Sequence, residues 1–352
     1  MKSNKLIKLG ILAFVMITIS VVVNERDGKK KDSFIKGSYF IQGVNPDEIS
    51  KITISSGEKM VTFVKDDKSF NIADKSGYTA DRQMINKIFE AILNIKIRSK
   101  VALGQKYFAG LGNGENPQSI VVRFFNETGR KSLGVLIGKI DDECNSNYVR
   151  REGAKVVYTT DKAVPDIKLQ PEDYYTKRLL VGSDEDFNRV IVSHEMGGYE
   201  IARRTKGIEL VDECLAGKTY DSEAIISVFH SLVHLNIKDV MPLNKFTGTK
   251  LELTATLFKN DKTIYHFQFG KMDDRHYVVV TPEIDYLGDL NIRKNESLNS
   301  LRKKEKILVA GDVVQEFRVK HEGWIYLIDQ DTIGRIKKNK KDFLIKSEYQ
   351  QN

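Results

Sequence analysis

Cysteine is nearly absent from this chain: 352 residues contain two, Cys144 and Cys214. Neither has a close Cys or His neighbour, which makes a zinc ribbon a poor reading and leaves room for one disulfide at most. Proline is scarce at 6 residues and apolar content is 41%, so wholesale disorder is excluded. The net charge of +8 comes from basic and acidic residues interspersed along the chain. No basic stripe is present, so nucleic acid is not an expected partner. Catalytic signatures are missing as well. No serine sits in a G-x-S-x-G elbow. The glycine-rich loop Gly110-Leu111-Gly112-Asn113-Gly114 lacks the Lys-Ser/Thr of a phosphate loop and a strand-then-helix setting. The sequence therefore assigns no catalytic, cofactor-binding or metal residues, and no cofactor is expected.

What is present begins at the N-terminus. Lys2, Lys5 and Lys8 precede an uncharged apolar run, Leu9 to Val23. Counted from Leu6 with Lys8 snorkelling, the run gives about 27 Å of helix against a bilayer core of roughly 30 Å. Two readings compete, an uncleaved membrane anchor and a signal peptide. The bulky, β-branched Ile19-Ser20-Val21-Val22-Val23 offers no small-residue cleavage site, which favours the anchor. No cysteine follows for lipid attachment. Basic residues flank both ends, and no second span follows. A cytoplasmic N-terminus with the body outside the cytoplasm, periplasmic or at the cell surface, is the expected arrangement.

The rest is organised around a stretch that occurs twice. Residues 135–142 read V-L-I-G-K-I-D-D and residues 267–274 read F-Q-F-G-K-M-D-D. Around this marker two halves align. Ile49, Ile52, Ile54, Phe63, Phe70 and Ile72 map onto Phe187, Val190, Val192, Ile201, Ile208 and Leu210, 138 residues further on. A helix capped by Thr79 or Asp81, with Met84, Ile85, Ile88 and Ile92 on its apolar face, matches one over Ser222–Leu235. The helix exits share a string, Leu93-Asn94-Ile95-Lys96 and Leu235-Asn236-Ile237-Lys238. Asn126-Glu127-Thr128-Gly129 reads as a hairpin turn. Glu152-Gly153 pairs with Glu322-Gly323 and Asp173-Tyr174 with Asp342-Phe343. A period this long is a duplicated domain and not a solenoid. Strands dominate, their connections are hairpin-length, and one helix interrupts each copy. The expected fold is α+β: two tandem repeats, each a mostly antiparallel β-sheet with one helix on a face, after an N-terminal transmembrane helix. The expected domains are 1–23 (anchor), 24–44 (juxtamembrane linker), 45–180 (first repeat) and 181–352 (second repeat), the last with an insertion near 281–316. That insertion carries Arg293, Lys294, Arg302, Lys303, Lys304 and Lys306. It reads either as a solvated loop or as a short basic amphipathic helix for lipid headgroups or a partner. Cys144 and Cys214 fall at non-equivalent places, so a disulfide would have to cross between the copies.

Three constellations invite chemistry. His230 and His234 stand four apart on the second helix, a spacing that suits a metal. Position 231 is Ser where a zinc protease needs Glu, and the first copy holds no matching His. The paired aspartates of the marker, Asp141-Asp142 and Asp273-Asp274, are neighbours on a chain at a turn. Adjacent strand residues face opposite ways, so they read as turn chemistry and not as an acid–base pair. Trp324 lies in an apolar strand pattern and reads as core.

Several of these motifs resemble a bacterial family called domain of unknown function 4340. They are the I-x-I strand, the helix opened by Asp81, Phe108-Ala109-Gly110-Leu111, Ile137-Gly138-Lys139 and Tyr148-Val149-Arg150. The resemblance spans roughly residues 45–200 and, by duplication, most of the rest. The second copy departs from it, with Met241-Pro242-Leu243 where the Gly-Leu loop should be. The family brings no catalytic residues. The resemblance implies a body outside the cytoplasmic membrane and association with ABC-type export permeases and gliding-motility-like auxiliary proteins. The expected function is a non-enzymatic, membrane-anchored accessory protein of a transport or envelope complex. The alternative is a cell-envelope hydrolase or metal-dependent enzyme built on His230, His234 and nearby acids.

Overall fold

The structure is a computed structural model that describes residues 36–345 except 68, 115–118, 142, 206, 212–218, 246–249, 287, 289 and 292–295. The N-terminal apolar run, Cys214 and Asp142 lie outside the described residues. Among the described residues no helix is long and apolar enough to cross a membrane. Cys144 is exposed and free.

The fold is α+β, with two antiparallel sheets and few helices. The first copy runs β1 (Ile49–Ser56), β2 (Lys59–Asp66), β3 (Ser69–Ile72), β4 (Tyr78–Thr79), α1 (Arg82–Leu93), β5 (Ile97–Leu103), β6 (Ile120–Asn126), β7 (Lys131–Asp141), β8 (Ser146–Arg151) and β9 (Val156–Thr160). The second runs β10 (Phe187–His194), β11 (Gly197–Arg204), β12 (Gly207–Leu210), α2 (Ser222–Val233), β13 (Asp239–Pro242), β14 (Lys250–Lys259), β15 (Thr263–Met272), β16 (Arg275–Ile284), α3 (Leu298–His321), β17 (Trp324–Ile328) and α4 (Gln330–Ile336). The first sheet has the order β4-β3-β2-β1-β6-β7-β8-β9-β5 and the second β12-β11-β10-β14-β15-β16-β17-β13. Apart from the two-residue β4, the second order is the first with each strand replaced by its counterpart. By contacts the chain divides into two compact units, residues 1–60 with 86–167 and residues 61–85 with 168–352.

The same physical choices recur in both sheets. Ile49, Ile52, Ile54, Phe63 and Ile72 are buried, and so are Phe187, Val190, Val192, Ile201 and Leu210. A bulge falls after Ile49 in the β1–β6 ladder and after Phe187 in the β10–β14 ladder. Beside it a cation lies over the same aromatic position, Lys51 over Phe125 at 5.5 Å and Arg189 over Phe258 at 5.1 Å. Asp81 and Asp221 open the helices, and the amide of each donates to an aromatic residue's carbonyl, Tyr174 at 2.7 Å and Phe343 at 2.8 Å. Those aromatics end short 3-10 turns, Pro171–Tyr174 and Lys340–Phe343. They are the Asp-Tyr and Asp-Phe echoes of the sequence.

One alignment needs correction. The helices correspond at 140 residues, as their starts Arg82 and Ser222 show. The exits agree, because the amide of Phe40 donates to Ile95 O and that of Leu179 to Leu235 O. The two Leu-Asn-Ile-Lys strings are thus two residues out of structural register. The shift survives in sequence because two residues preserve strand parity. The insertion is also more ordered than a loop: β16 takes up residues 281–284, and α3 fills 298–321. Its core side is a narrow stripe, Lys304, Ile307, Ala310, Val314, Phe317 and His321. Lys304 is held there by Glu296 and by the carbonyl of Asn291.

Candidate functional site

The marker stretch is turn chemistry in the second copy. Met272 pairs with Arg275, so Asp273 and Asp274 alone connect β15 to β16. Both have positive φ, 48° and 60°. That is the demand of a two-residue hairpin loop, and aspartate tolerates it better than most residues. Lys271 Nζ lies 2.9 Å from Asp274 Oδ1, so the exposed carboxylate is paired and held below its usual range, first by that hydrogen bond. In the first copy the loop is longer, since Asp141 pairs with Ser146. The pair Asp273-Asp274 is thus accounted for by the turn it makes.

The other half of the marker has a different task in the first copy. Gly138 lies under the loop that follows β5. A Cβ at Gly138 would stand 2.3 Å from Leu111 O and 2.5 Å from Asn113 Nδ2. Only glycine lets the loop backbone come so close. The amide of Lys139 then donates to Leu111 O at 3.1 Å. Arg150 clamps the other side, with Nη2 2.8 Å from Asn113 O and its guanidinium 4.0 Å above the Phe108 ring. Phe-x-Gly-Leu, Ile-Gly-Lys and Tyr-Val-Arg, far apart in sequence, are thus one loop latch. A cavity of about 500 Å³ opens beside it, lined among others by Phe108, Arg123, Arg150, Glu152 and Lys155. Glu152 bridges Arg123 at 3.0 Å and Lys131 at 2.7 Å. Desolvation pushes its pKa up, but the two cations outweigh this and hold the carboxyl below its ordinary value.

These latch residues fall within a family-model match. Residues 71–256 match the model described as Domain of unknown function (DUF4340), more than half of the chain. The chain belongs to this family. The match begins in β3 and ends in β14, so it takes in parts of both copies. No curated protein and no solved structure matched the chain.

The family motifs describe a scaffold; the features that separate the copies gather elsewhere. His230 and His234 project from the half-exposed flank of α2, as the helix wheel requires. Both meet one carboxylate. His234 Nε2 is 2.5 Å from Asp184 Oδ1, and His230 Nε2 is 3.1 Å from Asp184 Oδ2. Asp184 begins a 3-10 turn, Asp184–Asp186, capped by Ser183. Its counterpart 138 residues earlier is Pro46, and the counterparts of the histidines 140 residues earlier are Glu90 and Asn94. Three positions that differ between the copies therefore meet at one point. The groove beside them measures about 890 Å³ and lies between α2 and α4. Ser227, Ser231, Lys177, Asn236, Thr332 and Arg335 are among its walls, so it is polar and carries both charges. Helix α4 is itself a second-copy feature.

Sequence reasoning named the two histidines and missed Asp184, which lies 46 residues before His230. No local spacing signals such a partner. The carboxylate stands between the two rings instead of beside them around a shared centre. Among the described residues no group of three His, Cys, Asp or Glu side chains is disposed to hold a metal. Trp324 opens β17 with its ring 5.0 Å from Tyr78, edge to face, in an aromatic group with Tyr175 and Tyr326. The ring packs on other aromatics but is half-buried, at the margin of the core and not within it as the strand pattern implied.

Proposed function

We propose that the chain is a membrane-tethered accessory protein that binds a partner outside the cytoplasm, as a component of an ABC-type export or envelope complex. It recognises and holds, and does not catalyse. The observation that carries the binding role is the gathering of copy-specific residues, Asp184, His230, His234 and α4, at one polar groove. The scaffold is alike in both copies, and the copies differ at a groove open enough to take a ligand. The tether rests on the lysine-flanked apolar run at the N-terminus. The permease as partner rests on the family resemblance.

Crosslinking in intact membranes followed by purification of the full chain tests this reading. A permease or other envelope protein should co-purify, and the double variant His230→Ala, Arg335→Glu should reduce its recovery. A chain that remains monomeric and without partners sinks the proposal. The second reading, a metal-dependent hydrolase, draws on the shared contact of two imidazoles with Asp184. Metal analysis of the full chain in detergent separates the two, since one tightly held zinc per chain would favour the enzyme.

A further inference from the structure

Among the described residues the four sheet edges are not alike. β4 has two residues, and β12 and β13 have four each, β13 ending on Pro242. Short strands and proline are the usual means of closing an edge. β5, at the outer end of the first sheet, has seven residues. Its far half is open to solvent, with Val101 44% and Leu103 60% exposed, and Tyr107 follows at 45%.

The near end of this edge already accepts a strand. Tyr39 forms an antiparallel bridge with Lys96. The amide of Phe40 donates to Ile95 O at 2.7 Å, that of Ile97 to Ser38 O at 2.9 Å, and that of Gly37 to Ile97 O at 2.8 Å. The chain thus demonstrates strand addition at Ile95–Ile97, and among the described residues no second strand pairs with the continuation, residues 98–103. The charge carried by the segment itself is of one sign. Between Ala91 and Gly114 no acid occurs, while Lys96, Arg98, Lys100 and Lys106 do.

Two bulges refine the fit. The β5–β9 register skips Arg98 and Val101. Bulges add twist, which discourages a broad, flat sheet from docking. A second copy of this chain would also bring Lys100 against like charge. A single short segment follows a twisted edge without that difficulty.

We propose that the β5 edge, Arg98 to Leu103, binds a short extended segment of a partner protein in which apolar and acidic residues alternate. Apolar side chains would lie on Val101 and Leu103, and carboxylates would face Lys100 and Lys106. This surface is distinct from the α2–α4 groove and does not depend on it.

Hydrogen exchange on the full chain in detergent tests the inference with two capped hexapeptides, one alternating valine and glutamate, the other valine and lysine. The glutamate peptide at saturation should slow amide exchange across Lys100–Leu103 by about tenfold, leaving β13 unchanged. The lysine peptide should have no effect. In the variant Lys100→Glu, Lys106→Glu the preference should reverse; both sites are exposed, and the unchanged exchange of β9 would report that the sheet is intact. Equal slowing by both peptides, or by neither, overturns the proposal.

Discussion

Set side by side, the two copies agree in everything that makes a sheet and differ in what is attached to it. Strand order, the bulge after the first strand's first residue and the cation over Phe125 or Phe258 are the same. The β8–β9 connection is a four-residue turn, whereas between β16 and β17 lies a helix of 24 residues. The first copy has the loop latched against Gly138. The second has the short Leu243–Lys245 turn and gains α4 and the histidine clamp. The connections and the inserted helix differ, whereas the paired helices recur and bury core residues in both copies, Ile88 and Ile92 in α1, Phe229 and Leu232 in α2. Binding therefore has two separate places to reside, an open edge in the first copy and a groove in the second.

If the aromatic that closes each helix start is an equivalent structural device, removing it should be costly in both copies. Phe343 is fully buried, with its ring 5.1 Å from Tyr199, and Tyr174 packs 4.7 Å from Phe63. Phe343→Ala should lower unfolding stability by about 3–5 kcal/mol. Tyr174→Ala should lie in the same range. Urea titrations of both would break the equivalence if one cost less than half the other.

The glycines sharpen the comparison. Gly153 and Gly323 stand in the turns ahead of the last strands of their copies, at φ of 82° and 80°, with open space where a Cβ would stand. Alanine at either should cost about 1 kcal/mol, from backbone strain alone. Gly138→Ala should cost about 2–3 kcal/mol, because the Leu111 carbonyl and Asn113 side chain must move. The same chemical methods report all three. Near-equal costs at Gly138 and Gly153 would remove the loop latch from the account.

A pH dependence should belong to the second copy through its added helix. His321 Nδ1 is 2.6 Å from the Tyr326 hydroxyl, and burial, helped by the charge of Lys320, lowers its pKa to about 3. The unfolded chain binds this proton near pH 6.5, so between about 6.5 and 3 it holds more proton than the folded chain. Stability is therefore full above 6.5 and falls with acid by about 1.4 kcal/mol per pH unit from this group, levelling off near 3. In His321→Gln this part of the slope should vanish. Denaturation midpoints from pH 7 to 4.5 for both proteins measure it, and parallel curves would refute the assignment.

Much of the scaffold was legible in sequence for one reason: strand burial has a period of two. Six apolar positions spaced alike in two segments leave few registers, and Ile49 to Ile72 against Phe187 to Leu210 took the correct one. The marker was half legible. Aspartates at Asp273-Asp274 point to a turn by their own chemistry, whereas Gly138's contact with a loop 27 residues earlier has no local sign. Identity of letters misled at the helix exits, because Leu-Asn-Ile-Lys carries only parity. Helix α3 was legible only as one of two readings, and as a short helix, because its buried stripe includes Lys304, Ala310 and His321, which do not read as core. β5 was overlooked because Arg98-Ser99-Lys100 looks like a surface loop, and an edge strand is largely surface. Asp184 was out of reach because its meeting with His230 and His234 is made by the fold.

The smallest effect tests the helix starts themselves. Asp221 accepts from the amide of Ala224 at 3.0 Å, and Asp81 from that of Gln83 at 2.8 Å. These bonds satisfy amides that the first helical turn leaves without partners. Asp221→Ala should cost about 1 kcal/mol, and Asp81→Ala somewhat more, since Asp81 also accepts from the Thr176 hydroxyl at 2.8 Å. Asn at either position retains a capping oxygen and should recover most of the loss. If Asp81→Ala cost no more than Asp221→Ala, the Thr176 contact would contribute nothing, and the two caps would be alike in energy as well as in place.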